Sequence, residues 1–304
     1  MLKLIIATLL LLILAFTGCT IDNPAYITAT TPIEVSVVDG VSSTVIIANT
    51  PLPVDAGKTP PYFVEIAEGE VTGHTAFYCI GYNPTVGTSD EDIWLGSTVY
   101  TFPTTAQQMR IFSSSPADNI TGTGIRTVRV YYLDGSYNQH TEDITLRGNT
   151  FVNTVATNIF RVNGLRALTA GSNYKAVGLI TLEGLTGQDY RLIGIGYTRD
   201  RGGIFTVPAS RTLYVTQVYV GVGGLDASNM ARVTLRSNFI DDDGLLTAGL
   251  MFQPYSEIVM PNGDIEPYFS IPIKFPATTD IKFSAYTDSG SAFIECSIRG
   301  WIEQ

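Results

Sequence analysis

Charge is the first thing this chain is short of: Asp, Glu, Lys and Arg make up 15 % of 304 residues, against 45 % hydrophobic. A chain this apolar can bury a core, which excludes the disordered and solvating classes. Basic residues are the scarcer sign, 18 against 28 acids, for a net charge of −10. Residues 20–160 carry 14 acids against 5 Lys and Arg, whereas residues 161–304 carry 14 against 12. No basic cluster interleaves with aromatics, and an acidic surface repels phosphate, so nucleic acid is not an expected partner.

Histidine occurs twice, as His74 and His140, and neither sits at a spacing that would pair it with a metal ligand. Cysteine occurs three times, which excludes a disulfide framework. Cys79 and Cys296 lie far apart in apolar runs and form either one cross-domain disulfide or two separate buried thiols. No Gly-x-Ser-x-Gly elbow supports a nucleophilic serine. Long apolar runs are missing beyond the first segment, and helical periodicity is nearly so; Asp241 to Phe252 is the one candidate helix, weakened by Gly244 and Gly249.

What is there begins with an export signal. A positive start at Lys3, an apolar run from Leu4 to Phe16 and the small-residue exit Thr17-Gly18-Cys19 describe a signal peptide or hydrophobic anchor over residues 1–18. The run is short for a bilayer-spanning helix. The exit has the form of a bacterial lipobox, with Cys19 as the residue to be lipidated and Phe16 where leucine is usual. Residues 19–31 would then tether the protein to a membrane through that segment.

Short β-type runs fill the rest, separated by Gly, Pro, Asn and Asp. Arg126–Tyr132 and Leu213–Val220 alternate best, and Asp134-Gly135 marks a hairpin. Runs at Ile33–Val38, Val45–Ala48, Tyr62–Ala67 and Val99–Phe102 also read as strands. Strands at this spacing without helices predict an all-β fold of two β-sandwich or jelly-roll-like domains, 32–186 and 187–304, with the break in the Gly184–Asp189 stretch. Pro208, Pro272 and Pro276 predict edge strands or strand ends.

Chemistry-bearing motifs are sparse. Asp90-Glu91-Asp92 and Asp241-Asp242-Asp243-Gly244 are acidic clusters. Asp241, Asp242 and Asp243 could hold calcium, although EF-hand spacing is absent and a solvated loop is the simpler reading of both clusters. Nothing selects a carboxylate pair for glycoside hydrolysis. Thr121-Gly122-Thr123-Gly124 precedes a strand rather than a helix, so it is a turn and not a phosphate loop. No catalytic or cofactor-binding residue is expected, and the chain reads as a non-enzyme. Trp94, beside an acidic loop, and Tyr131, Tyr132 and Tyr137 are the candidate ligand surface, since such rings give contact area at low entropic cost.

The string Asn83-Pro84 through Val86-Gly87-Thr88-Ser89 to Glu91-Asp92-Ile93-Trp94, followed by Tyr100-Thr101 and Pro103-Thr104-Thr105-Ala106, resembles a segment of structural proteins from tailed bacteriophages, marine ones especially. The resemblance continues through Ser113–Asp118, Gly122–Val128, Ile144–Gly148, Arg161-Val162 and Leu168–Ser172. Phe205–Ala209 and Ile271-Pro272 through Thr279-Asp280-Ile281 are similar to the β domains that follow in those proteins, so the likeness covers most of residues 80–290. It implies a virion component, of head-decoration, head-fibre or tail-associated type. The implied partners are other virion proteins, further copies of this chain and a host-surface glycan, and the implied location is the virion surface. A lipoprotein-type signal departs from that family. It points to the alternative, a bacterial surface lipoprotein with glycan-binding β-sandwich domains, exported and anchored at the envelope.

Overall fold

A computed structural model of the chain describes residues 62–226, 228–240, 244–245 and 252–304. The chain divides into two compact units, Met1–Glu65 and Ile66–Gln304. Cys19, the signal and tether segments, the runs at 33–38 and 45–48, and Asp241–Asp243 lie outside the described residues. The second unit is almost all β. The described helix is α1 (Tyr62–Glu68), in which only Ile66 is buried. The Tyr62–Ala67 run is therefore helical rather than extended: with one buried side chain there is no buried face for a two-residue period to serve. Val99–Phe102, also read as a strand, is irregular chain that places Tyr100 and Phe102 in a core.

Two strand systems make up this unit. The outer system opens with β1 (His74–Val86) and β2 (Glu91–Asp92), and resumes about a hundred residues later with β10 (Ile204–Thr206), β11 (Thr212–Gly223) and β12 (Ala231–Ser237). The short β13 (Phe239–Ile240) and β14 (Gly244–Leu245) pair with each other; the latter lies in the stretch read as a candidate helix, of which Phe252 is the other described residue. Then follow β15 (Gln253–Met260), β16 (Gly263–Ile265), β17 (Tyr268–Phe275), β18 (Asp280–Thr287) and β19 (Ala292–Glu303). One sheet has the order β1-β19-β11, with β16 and β17 both on the far edge of β11. The other has the order β15-β12-β18, with β2 and β10 sharing the far edge of β18. Side chains from both sheets form one core, among them Val218, Val220, Val233, Phe275, Phe283, Ile294 and Ile298. On β11 a bulge between Val215 and Gln217 shifts the alternation, so Leu213 and Val215 face in before it and Val218, Val220 and Val222 after it.

The inner system comprises β3 (Met109–Ser113), β4 (Ile125–Leu133), β5 (Gln139–Thr145), β6 (Val152–Asn153), β7 (Arg161–Ala170), β8 (Ile180–Gly184) and β9 (Asp189–Ile193). They form sheets of order β6-β3-β8-β9 and β5-β4-β7, around a second core that includes Met109, Ile111, Val128, Leu165 and Leu182. The turn expected at Asp134-Gly135 joins β4 to β5.

The inner system is stitched into the middle of an edge strand. The Ile93 N–H donates to Phe283 O at 2.9 Å, Gly203 N–H to Ile93 O at 2.8 Å, and Phe283 N–H to Gly203 O at 2.9 Å. The chain thus leaves β2 after Ile93 and returns at Gly203 to continue the same edge as β10. The break expected at 186/187 falls instead in the turn of the β8–β9 hairpin, where Leu182 and Arg191 are paired. A Gly-rich, polar turn looks like a linker in sequence, whereas the points where the chain leaves and rejoins the outer edge, Ile93 and Gly203, lie just outside β2 and β10 and show only in their hydrogen bonds.

Polar groups of β18 explain how the two systems stay in register. Almost all of β18 is buried, although every second residue along it, Asp280, Lys282, Ser284 and Tyr286, is polar. Asp280 there takes a bidentate pair from Arg161 of β7, both bonds 2.9 Å, and a 2.6 Å bond from the Thr206 hydroxyl. Lys282 donates to Asp92 at 2.9 Å. Burial pushes the Asp92 carboxyl above its usual range, and Lys282 and the Tyr100 N–H pull it back. Asp92 is therefore no solvated acid, but half of a buried ion pair.

Candidate functional site: a cleft between the strand systems

A cleft of about 460 Å³ opens between β1 on one side and β4, β7 and the 199–202 segment on the other. Its β1 wall is the continuous run Thr75–Ile80. Opposite stand Tyr131, Arg166, Arg199 and Asp200.

Backbone pairing decides where the two arginines go. The Ala167 N–H donates to Thr198 O at 2.8 Å and the Asp200 N–H to Leu165 O at 2.9 Å, so Arg166 and Arg199 face each other as a non-hydrogen-bonded antiparallel pair. Such residues have the closest Cα atoms in a ladder and side chains on one face, and like charges placed there repel. Neither guanidinium has an ion-pair partner among the described residues, and the buried Nε of Arg199 has no hydrogen-bond partner. Each leans toward a tyrosine: Arg166 lies 5.4 Å from the Tyr131 ring and Arg199 6.0 Å from the Tyr78 ring. The one carboxylate in the cleft, Asp200, accepts the Leu165 N–H at 2.9 Å and lies 3.7 Å from Arg191. Arg191 is itself fixed by the Val162 and Ile204 carbonyls.

The other wall is a strand edge. β1 pairs with β19 on one side only. The Tyr82 N–H points the other way, to Arg201 O at 3.0 Å. Edge direction repeats every second residue, so the main-chain groups of Ile80, Tyr78 and Ala76 also face away from β19. Beyond Tyr82 none of them has a backbone partner on that side among the described residues.

The residues singled out from sequence disperse. Trp94 is 3 % exposed, packs edge-to-face on Tyr100 at 5.2 Å and donates its indole N–H to Thr98 O at 2.8 Å. It is core, because it sits at the seam where the inner system begins. Tyr132 is buried and stacks on His140, whose Nε2 meets Asp134 at 2.9 Å. Tyr137 occupies the hairpin turn at φ 62° with its ring edge-to-face on Phe160. Only Tyr131 reaches the cleft. Neighbours on a strand point to opposite faces, so Tyr131 and Tyr132 could never share one surface. Both remaining thiols are free, Cys79 pushed up to about 11 by burial and Cys296 also raised by burial. Among the described residues no group of three or more His, Cys, Asp and Glu converges as a metal site. None of the described helices is long and apolar enough to cross a membrane.

No family model and no curated protein matches the chain. Among solved structures it is similar to the infectious bursal disease virus Gt strain, at 11 % identity over 80 % of this chain and 77 % of that one, with a TM-score of 0.15. The VP2 subviral particle of the same virus gives 12 % identity over 76 % and 77 %, with a TM-score of 0.12. At those scores the likeness carries no argument.

Arg166, Arg199 and Tyr78 were missed by sequence reasoning. Their signal lies in strand register, which joins positions 33 residues apart and leaves no local pattern.

Proposed function

We propose that the chain is a non-enzymatic structural protein of a virus particle, built as a jelly roll that carries a second β-sandwich. The observation that carries this reading is strand order. Leaving aside the short β13–β14 pair, and counting the split edge β2/β10 as one strand and β16/β17 as one position, the outer system has eight strands in sequence. Its sheets then run first-eighth-third-sixth and second-seventh-fourth-fifth. That is the order produced by two Greek keys wound into a jelly roll, an architecture found in viral capsids and also in lectins and cupins. The inserted system leaves and re-enters through adjacent residues of one edge, which makes it an appendage on a complete fold.

Exposed apolar side chains support the particle reading over a lone surface domain. Val259 on β15, Ile265 on β16 and Ile271 on β17 stand exposed on or beside sheet edges, Ile271 at 84 %. Exposed apolar side chains along edges with no partner strand among the described residues suit contacts between copies. Sedimentation and negative-stain electron microscopy of the purified chain test this directly. The reading expects symmetric oligomers or closed shells, weakened by Ile271→Lys with Val259→Lys. A chain that stays monomeric at high concentration, with binding to a host glycan array, would replace it with the surface-lipoprotein reading.

A further inference from the structure

We propose that the cleft takes an extended acidic peptide, added as a strand to β1 with one carboxylate seated between Arg166 and Arg199. Two unmet demands meet there. The first is electrostatic: two arginines stand opposite each other at a non-hydrogen-bonded ladder position, with no ion-pair partner among the described residues, in a chain with ten more acids than bases. A planar carboxylate accepts from both guanidinium groups at once and turns that repulsion into attraction. The second is backbone pairing. The edge formed by Ala76, Tyr78 and Ile80 carries no charge and no proline from Thr75 to Tyr82, so neither of those two devices blunts it. A saccharide acid would answer the first demand but offers no donors and acceptors at strand spacing. A carboxylate-bearing peptide strand answers both, by the same main-chain pairing that other peptide-binding sheets use. Tyr78 and Tyr131 then flank the added strand. The buried bonds of Arg191 to Ile204 O and of Arg161 to Asp280 tie the inner strand system to the outer one before anything binds. This inference does not depend on the virion reading.

The test is fluorescence anisotropy with the full chain and a labelled, capped six-residue peptide of alternating threonine and glutamate. Controls are the same peptide with glutamine for glutamate, the glutamate peptide N-methylated at its backbone amides, and galacturonic acid as the saccharide probe. The expected result is saturable binding of the glutamate peptide that weakens with salt. Binding should fall at least about tenfold for the glutamine peptide, for the N-methylated peptide and for the Arg166→Gln/Arg199→Gln variant. Circular dichroism and an unchanged thermal transition would show that the variant folds. Equal binding of the glutamine peptide, or of the double variant, would overturn the carboxylate seat. Equal binding of the N-methylated peptide would overturn strand addition. Galacturonic acid binding without peptide binding would assign the cleft to a saccharide, and no peptide binding at all would end the proposal.

Discussion

Arginines in this chain do opposite kinds of work, and substitution separates them. Arg161 is buried in a bidentate pair with Asp280, and removing one partner strands a charge away from water. Arg161→Gln should therefore cost about 3–5 kcal/mol of unfolding free energy by urea titration. Arg199→Gln relieves repulsion with Arg166, so the free protein should be unchanged or more stable by about 0.2–1 kcal/mol. A large loss from Arg199→Gln would mean that an ion-pair partner holds it after all. Trp94→Ala should cost about 3–5 kcal/mol, as removal of a buried aromatic does, whereas an open ligand platform would tolerate it. Asp134 gives a pH signature: the His140 bond and nearby backbone N–H groups hold it at about 2, below its ordinary value of 3.8. A carboxyl depressed in the folded state stabilises above the unfolded value and loses that contribution as pH falls from about 4 toward 2. Acid titration of Asp134→Asn should show a shallower decline over that window.

Elements were legible where a side-chain period or a turn residue marked them. The alternation at Arg126–Tyr132 and Leu213–Val220, the Asp134-Gly135 hairpin and the edge position of Pro272 in β17 are all visible in local sequence. Three things were not. Tyr62–Ala67 is too short for its period to tell helix from strand. The bulge on β11 reverses the inward face mid-strand. The split edge strand puts Ile93 next to Gly203, and no local pattern records that contact. Gly81 marks the spot where β1 crosses it: a Cβ there would lie 2.8 Å from both Gly203 Cα and Ile93 O, and 2.6 Å from Cys296 Sγ. Two of those atoms are backbone and cannot turn aside. Gly81→Ala should lower the thermal midpoint by several degrees, as overpacking of about 1–3 kcal/mol would. An unchanged midpoint would mean that the two strands are further apart.

At the scale of the whole molecule, the insertion explains why the site escaped sequence reading. The cleft exists only because β1, near the start of the described chain, and the 199–202 segment meet across the graft. Its residues come from Thr75–Ile80, Tyr131, Arg166 and Arg199, with no two groups adjacent in sequence. The same graft predicts modularity. Replacing residues 95–201 with a short glycine–serine link should leave a folded, less stable β protein, because Ile93 and Gly203 are already hydrogen-bonded neighbours. A disordered product by circular dichroism would mean that the inner system is structurally obligatory. The central claim, a structural protein of a virus particle, is tested most directly by mass spectrometry of particles purified from a producing culture. The account expects peptides from across residues 62–304 at stoichiometry comparable to other shell components. Recovery of the chain only from host membranes, with a lipidated Cys19, would contradict it.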